Sequence, residues 1–87
     1  MLKGIVISNI VSTRKQDALI GSKFLEIRLI ENDQLTDKYI VAVDRSISAG
    51  IGEDVLIVTG SSARVAVGDP DSPVDAVVAG IIDKIQN

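Results

Sequence analysis

The sequence predicts an all-β fold, a small OB-like barrel of five strands with one or two short helical turns. Ile and Val far outnumber Leu, and aromatic residues make up 2% of the chain, a composition that favours strands over helices. Short apolar segments alternate with turn-forming residues. The 87 residues form a single domain, 1–87, in which five short strands are covered better by a closed barrel than by a two-layer sandwich.

The first half of the chain predicts three strands. Residues 4–11 are rich in Ile and Val and form the first. Residues 23–30 form the second, because apolar and charged side chains alternate there with a period of two. Residues 31–34 are turn formers, so a hairpin leads to the third strand at residues 38–44.

The second half predicts two strands and the helical turns. The fourth strand is Asp54–Thr59, and Ser61 or Ser62 then caps a short helical turn. A proline at a first helical position predicts another turn near residues 73–76. Residues 77–85 complete the barrel, because their Val and Ile content favours a strand.

The predicted core follows from the alternation of apolar and polar residues along the strands. The side chains expected inside the barrel are Val6, Leu25, Ile27, Leu29, Val41, Val43, Leu56 and Val58.

Composition excludes several classes of function. The chain has 0 Cys and 0 His, which removes disulfides, thiolate nucleophiles, His bases and zinc sites of the usual kind. A net charge of −3 disfavours nucleic acid as a partner. Neither a membrane-spanning stretch nor a secretory signal is found, so we expect a cytoplasmic protein. A chain this short buries roughly 60–65% of its unfolded surface, so we expect a partner subunit to stabilise it.

No catalytic, cofactor or metal site is predicted. Residues 60–64 follow a strand, but Arg64 stands where a nucleophile elbow needs its second glycine. Asp69, Asp71 and Asp75 offer oxygen ligands, yet they lack the spacing of an EF-hand, and turn and capping roles explain each one locally.

Two other segments allow a functional interpretation beside a plain one. Arg64 is either a solvent-exposed side chain or a guanidinium that bonds carboxylates or carbonyls across a subunit boundary. Residues 46–52 are either an ordinary loop or a small-residue segment that converges with its copies around an axis. In the second interpretation the uncharged loop lines a central opening through Ser46, Ser48, Ala49, Gly50 and Gly52.

Four blocks of sequence, taken together, resemble the EutN/CcmL family of microcompartment vertex proteins. They span nearly the whole chain. The first is residues 4–21 followed by Lys23 and the strand FLEIRLI, and the second is VAVD at 41–44 with AGIGE at 49–53 and residues 55–56. The third is GSSAR at 60–64, and the fourth is residues 73–75 with residues 78–83. The chain departs from the family pattern after Asp44, where Arg45 stands in place of the usual Asn.

This resemblance implies a structural protein, not an enzyme. It implies a homopentamer of small barrels that caps the vertices of a polyhedral, carboxysome-like bacterial microcompartment shell, with hexameric shell proteins as the facets. The implied location is the shell within the cytoplasm. The GSSAR block makes Ser61, Ser62 and Arg64 candidates for the subunit interface.

Two other functions compete with this interpretation. The first is an OB-type module for a small ligand or nucleic acid, which needs stacked aromatics and a basic groove, whereas this chain offers Phe24, Tyr39 and a negative net charge. The second is a small lyase or hydrolase that uses Ser61 or an Asp pair. The native mass separates a shell pentamer from both.

Overall fold

The five strands form one closed barrel. The computed structural model describes residues 1–10, 22–60, 63 and 75–83. The strands are β1 (Leu2–Ile10), β2 (Lys23–Glu31), β3 (Gln34–Asp44), β4 (Asp54–Thr59) and β5 (Ala76–Ile81). Their order around the barrel is β1-β2-β3-β5-β4, and every neighbouring pair is antiparallel except β3 and β5. The predicted all-β barrel is confirmed.

The largest differences from the predicted strand ends are at the start of β3 and the end of β5. β3 begins at Gln34, because a two-residue turn lets pairing resume between Glu31 and Gln34. β5 runs over Ala76–Ile81, so it ends before Ile82. The helical turn predicted at residues 73–76 lies mostly outside the described residues, as do most of residues 61–64.

The hairpin between β2 and β3 turns at Asn32 and Asp33, both of which have positive φ, 51° and 61°. This pair of left-handed residues matches the type I′ turn, whose twist fits the right-handed twist of the flanking strands. Asn and Asp tolerate that conformation better than other non-glycine residues. The predicted turn at residues 31–34 is confirmed.

β1 approaches β2 closely at Gly4, which pairs with Leu29 on one side and Val55 on the other. A Cβ at Gly4 would lie 2.7 Å from the carbonyl oxygen of Arg28 and would collide with the side chain of Ile27. The absence of a side chain here lets the barrel close around a tight core.

The inward face of the barrel carries the main core, and four predicted members are confirmed there: Val6, Leu25, Ile27 and Leu29. The prediction for β4 is wrong. Val55 and Ile57 point inward, while Leu56 and Val58 are half-buried. The sequence DVLIVT is apolar on both faces of the strand, so its period does not reveal which face is inside.

A second, smaller cluster covers part of the barrel's outer face. It joins Val43, Ala63 and Val77, with Phe24 and Val58 packed against it. Val43 is therefore buried, as predicted, but outside the barrel.

The prediction that Val41 is buried is wrong for a single chain. Its side chain is 51% exposed, because the outer cluster reaches Val43 and stops short of the preceding outward residue.

Candidate functional site

The loop from β3 to β4, residues 45–53, is organised by the carboxylate of Asp44. That side chain is 3% exposed. Its Oδ1 accepts hydrogen bonds from the backbone N–H of Ile47 (2.9 Å) and Ser48 (3.1 Å), and its Oδ2 accepts one from Ala49 (2.7 Å). Hydrogen bonds to a charged acceptor are stronger than neutral ones, so three successive amides are fixed around one side chain.

Glu53 closes the other end of the loop. The N–H of Gly50 donates to Glu53 Oε1 at 2.6 Å, and the N–H of Glu53 donates to the Gly50 carbonyl at 3.1 Å. The amides of residues 47–50 are thus all bonded to one of two carboxylates. We call Asp44 and Glu53 the carboxylate clamp of this loop.

The loop is also tied to β1 through its backbone. The N–H of Gly52 donates to the Val6 carbonyl at 2.9 Å, and the N–H of Val6 donates to the Glu53 carbonyl at 3.0 Å. Gly52 has a φ of 89°, which a residue with a Cβ adopts only under strain. The clamp and these two bonds give the loop a defined shape within one chain.

The predicted opening-lining residues divide into two groups. Ser46, Ser48, Gly50 and Gly52 are exposed. Ala49 is 4% exposed and packs in the main core, so its methyl group anchors the loop. The convergence of these loops around an axis stays a prediction.

Sequence reasoning missed both members of the clamp and the exposed tip of the loop. Ile51, which lies between the two glycines, is 64% exposed. The available signal was an acid at each end of a small-residue loop, since a short carboxylate is suited to accept nearby backbone N–H groups.

The candidate interface residues Ser61, Ser62 and Arg64 lie outside the described residues. The neighbouring positions show how the segment begins. Gly60 donates its N–H to the Asp75 carbonyl at 2.8 Å, and Ala63, fully buried, donates to the Gly60 carbonyl at 3.1 Å. Gly60 is therefore a turn position at the end of β4, and Ala63 packs onto the outer face of the barrel.

Of the three aspartates considered as oxygen ligands, only Asp75 lies in the part of the chain that the structure describes. Asp75 is exposed, whereas Asp69 and Asp71 lie outside the described residues. Among the residues that the structure describes, no group of three or more His, Cys, Asp or Glu is placed to hold a metal ion. Likewise, no helix in the described ranges is long and apolar enough to cross a membrane.

The two aromatic side chains have separate roles. Phe24 packs against the outer cluster. Tyr39 is about half-exposed, and the Arg28 guanidinium lies 6.0 Å from the centre of its ring. The same guanidinium is 3.5 Å from Asp37 and donates from Nε to the Thr36 carbonyl at 2.6 Å. The positive charge of Arg28 is thus paired with the carboxylate of Asp37, and a surface of this kind is not suited to bind the phosphates of a nucleic acid.

Comparison of the sequence with known proteins gives a match over nearly all of the chain. A family model described as "Ethanolamine utilisation protein EutN/carboxysome" matches residues 1–83. The carboxysome shell vertex protein CcmL of Nostoc sp. PCC 7120 is 47% identical over 77 residues, which cover 87% of this chain and 76% of that protein. The microcompartment shell vertex protein GrpN of Rhodospirillum rubrum is 37% identical over 86 residues, which cover 99% of this chain and 97% of that protein.

Comparison with solved structures gives the same result as the sequence comparison. A structure of the ethanolamine utilization protein EutN superposes with a TM-score of 0.91 at 39% identity, covering 100% of this chain and 91% of that one. The pentameric microcompartment shell protein GrpN from Rhodospirillum rubrum superposes with a TM-score of 0.85 at 36% identity, covering 100% and 99% of the two chains.

Proposed function

Because the chain belongs to the EutN/CcmL family of microcompartment shell vertex proteins, we propose that it is a structural shell protein that forms homopentamers and caps shell vertices. One observation carries the proposal. The whole chain superposes on the pentameric shell protein GrpN, and nearly the whole of that protein is covered in return.

The physical argument for a pentamer starts from the size of the domain. A chain of 87 residues is marginally stable alone, and contact with neighbours buries more of its apolar surface. Identical head-to-tail contacts close into a ring when the rotation between copies is one fifth of a turn. A flat sheet of six-fold units closes into a polyhedron only if five-fold units stand at its corners.

The partners in this proposal are four further copies of the chain and the hexameric proteins that tile the shell facets. The protein is then located in the shell itself. The family is one of structural components, so the proposal includes no catalytic step. An OB-type module for nucleic acid or a small ligand is not favoured by the relatives.

The proposed subunit contact includes the segment directly after Gly60, with Ser61, Ser62 and Arg64. Arg64 presents a planar fork of donors suited to a carboxylate or to carbonyl groups of the adjacent copy. Replacing Arg64 with Ala is expected to weaken the pentamer more than it destabilises the barrel. An Arg64→Ala variant that stays pentameric on extended dilution would exclude this role.

The proposed central opening is lined by the exposed part of the loop between β3 and β4. Ser46 and Ser48 supply hydroxyl groups, and Gly50 and Gly52 supply backbone dipoles. The clamp fixes the amides of Ser48 and Gly50, and the hydrogen bond from Gly52 to Val6 fixes the end of the loop, so each copy presents the loop in the same shape. The opening is expected to discriminate little by charge, because residues 46–52 contain no ionisable side chain.

The vertex role is tested by shell assembly. Hexameric shell proteins expressed with this chain are expected to form closed polyhedral particles that contain it, seen by electron microscopy. Without this chain, the same proteins are expected to form open sheets, tubes or particles with gaps at the corners. Closed particles of unchanged form and completeness in both cases would contradict vertex capping.

A further inference from the structure

Three side chains form a row across the outer face of β1, β2 and β3. Ser8 is paired with Glu26, and Glu26 is paired with Val41. Glu26 and Val41 point outward, because Ile27 and Ala42 beside them in the two strands point into the core. The Ser8 hydroxyl lies on the same side, since it donates to Glu26 Oε1 at 3.4 Å. A carboxylate is thus placed between a hydroxyl group and an apolar side chain on the outside of the barrel.

The β3 side of this row is apolar and open to solvent. Val41 and Tyr39 follow one another along the outer face of the strand, and each is 51% exposed. Val43, the next residue on that face, is by contrast 5% exposed beneath the outer cluster. The cover that the described part of the chain provides therefore ends just before Val41. A partner that covers Val41 and Tyr39 gains stability, because it removes apolar and aromatic surface from water.

The carboxylate of Glu26 determines what such a partner must carry. Glu26 is half-buried, and its 3.4 Å bond from Ser8 is longer than the distance of about 2.7–2.8 Å that is typical of a hydroxyl donor. An ionised carboxylate accepts from several donors, so one weak bond leaves capacity for more. Arg28, two residues along the same face, is directed to the Thr36 carbonyl and to Asp37. Glu26 therefore has room for a further, charged donor.

Cover over Val41 and a charge on Glu26 belong to the same contact. The two residues are directly opposite each other, so a partner that covers Val41 also takes Glu26 out of water. Burying a carboxylate without a cation is unfavourable, and the partner must then supply a positive charge at this point. Arginine is the best suited cation, because its guanidinium is weakly hydrated, binds a carboxylate as a fork and stacks on aromatic rings such as that of Tyr39.

The charge of the chain indicates that this arginine belongs to a different protein. The net charge is −3, so copies of the chain repel one another at long range, whereas a basic surface is attracted. Among the described cations, Lys3, Arg28 and Lys38 already lie in ion pairs within the chain. A basic surface of a second protein therefore complements this face better than another copy does.

We propose that the outer face formed by Glu26, Tyr39 and Val41 binds a protein other than this chain, through an arginine flanked by apolar side chains. The guanidinium pairs with Glu26, and the flanking side chains cover Val41 and Tyr39. This inference rests on the proposed function, in which that protein is the hexameric shell protein of the facets.

The test measures the affinity of the pentamer for the hexameric shell protein with which it forms closed particles, in low salt and in high salt. Glu26→Gln removes the charge and keeps the size of the side chain. The matched control is Glu31→Gln at the end of the same strand, where the carboxylate is bonded to Lys38 at 2.9 Å. Sedimentation of each variant first establishes whether it is a pentamer.

We expect Glu26→Gln to remain a pentamer and to bind the hexameric protein at least about tenfold more weakly, since it leaves the partner's guanidinium buried without its carboxylate. Glu31→Gln is expected to bind as the wild type does. The wild-type affinity should fall as salt is added, and that of Glu26→Gln should fall less. Equal affinities for Glu26→Gln and wild type would overturn the inference and leave the proposed function standing.

Two other outcomes are equally clear. If Glu26→Gln sediments as a monomer while Glu31→Gln sediments as a pentamer, this face lies between copies of the chain and the inference is wrong. If the wild-type chain is itself a monomer, or does not bind the hexameric protein, the proposed function fails before any variant is compared.

A second variant tests the apolar part of the face and replaces Glu26→Gln if that variant does not fold. Val41→Thr keeps the shape of the side chain and adds a hydroxyl group that the contact would bury. It is expected to remain a pentamer and to bind the hexameric protein at least about threefold more weakly, because a hydroxyl is unfavourable in an apolar contact. An unchanged affinity for Val41→Thr would show that Val41 is not covered by this partner, and would overturn the inference.

Discussion

Two connections flank β3, and they keep their shapes in different ways. The hairpin before it turns at two exposed residues, Asn32 and Asp33, whose own backbone preferences suit the turn. The loop after it, residues 45–53, is held by the carboxylate clamp, and one member of that clamp, Asp44, is buried. The hairpin thus depends on local sequence, whereas the loop depends on side chains at its two ends.

The difference indicates where single substitutions act most strongly. Ion pairs around the hairpin are exposed, as between Lys38 and Glu31 at 2.9 Å, and such pairs contribute about 0–1 kcal/mol. Removing an acceptor from a buried amide leaves a donor without a partner, at a loss of about 1–3 kcal/mol. The loop proposed to surround the central opening is therefore more sensitive to substitution than the hairpin.

The largest effect is expected at Asp44. Asp44→Ala removes the acceptor of three backbone N–H groups and is expected to lower the free energy of unfolding by about 2–4 kcal/mol. Urea denaturation measures this change in the free energy of unfolding. Both proteins are compared at one fixed concentration, because assembly also contributes to stability.

The matched control for Asp44 is Asp37→Ala in the strand that follows the hairpin, where the exposed carboxylate lies 3.5 Å from Arg28 and the backbone is not left-handed. Its expected change is at most about 0.5 kcal/mol. Similar losses for the two aspartates would remove the distinction between the two connections.

An intermediate effect is expected at Gly52, whose φ of 89° disfavours any side chain. Gly52→Ala is expected to lower the free energy of unfolding by about 1–2 kcal/mol through backbone strain. Gly80→Ala in β5 is the control, because a Cβ there meets nothing within 4 Å and the backbone is not left-handed. If Gly80→Ala destabilises the protein as much as Gly52→Ala does, strain at the loop is not the cause.

The smallest effect is expected at Lys38 in the hairpin strand. Lys38→Ala removes an ion pair whose side chains are 70% and 44% exposed, and the expected loss is about 0.5 kcal/mol or less. The loss should shrink further in 1 M salt, where the screening length is about 3 Å. A loss above 1.5 kcal/mol that is independent of salt would show that the hairpin also depends on side-chain contacts.

The features that could be predicted from the sequence are those set by residues close together in the chain. The alternation of Leu25, Ile27 and Leu29 with charged residues predicted the inner face of β2, and the turn formers predicted the hairpin. These signals are local, so tertiary structure does not need to be known to interpret them.

The features that were not predicted depend on what covers each face of a strand. In β4 and around Val41 both faces are apolar, and the period of two then carries no information about which face is inside. The role of Asp44 depends on the conformation of the five residues that follow it, and an acid at a strand end is by itself only a weak signal for such a loop. Recognising the family required the blocks to be considered together.

The central claim is that five copies of this chain assemble into a ring, and the native mass of the assembly tests this claim most directly. Sedimentation equilibrium or native mass spectrometry of the purified protein at micromolar concentration should give one species with five times the chain mass of 9.2 kDa. A single species of 9.2 kDa, or of twice that mass, at all concentrations would contradict the account.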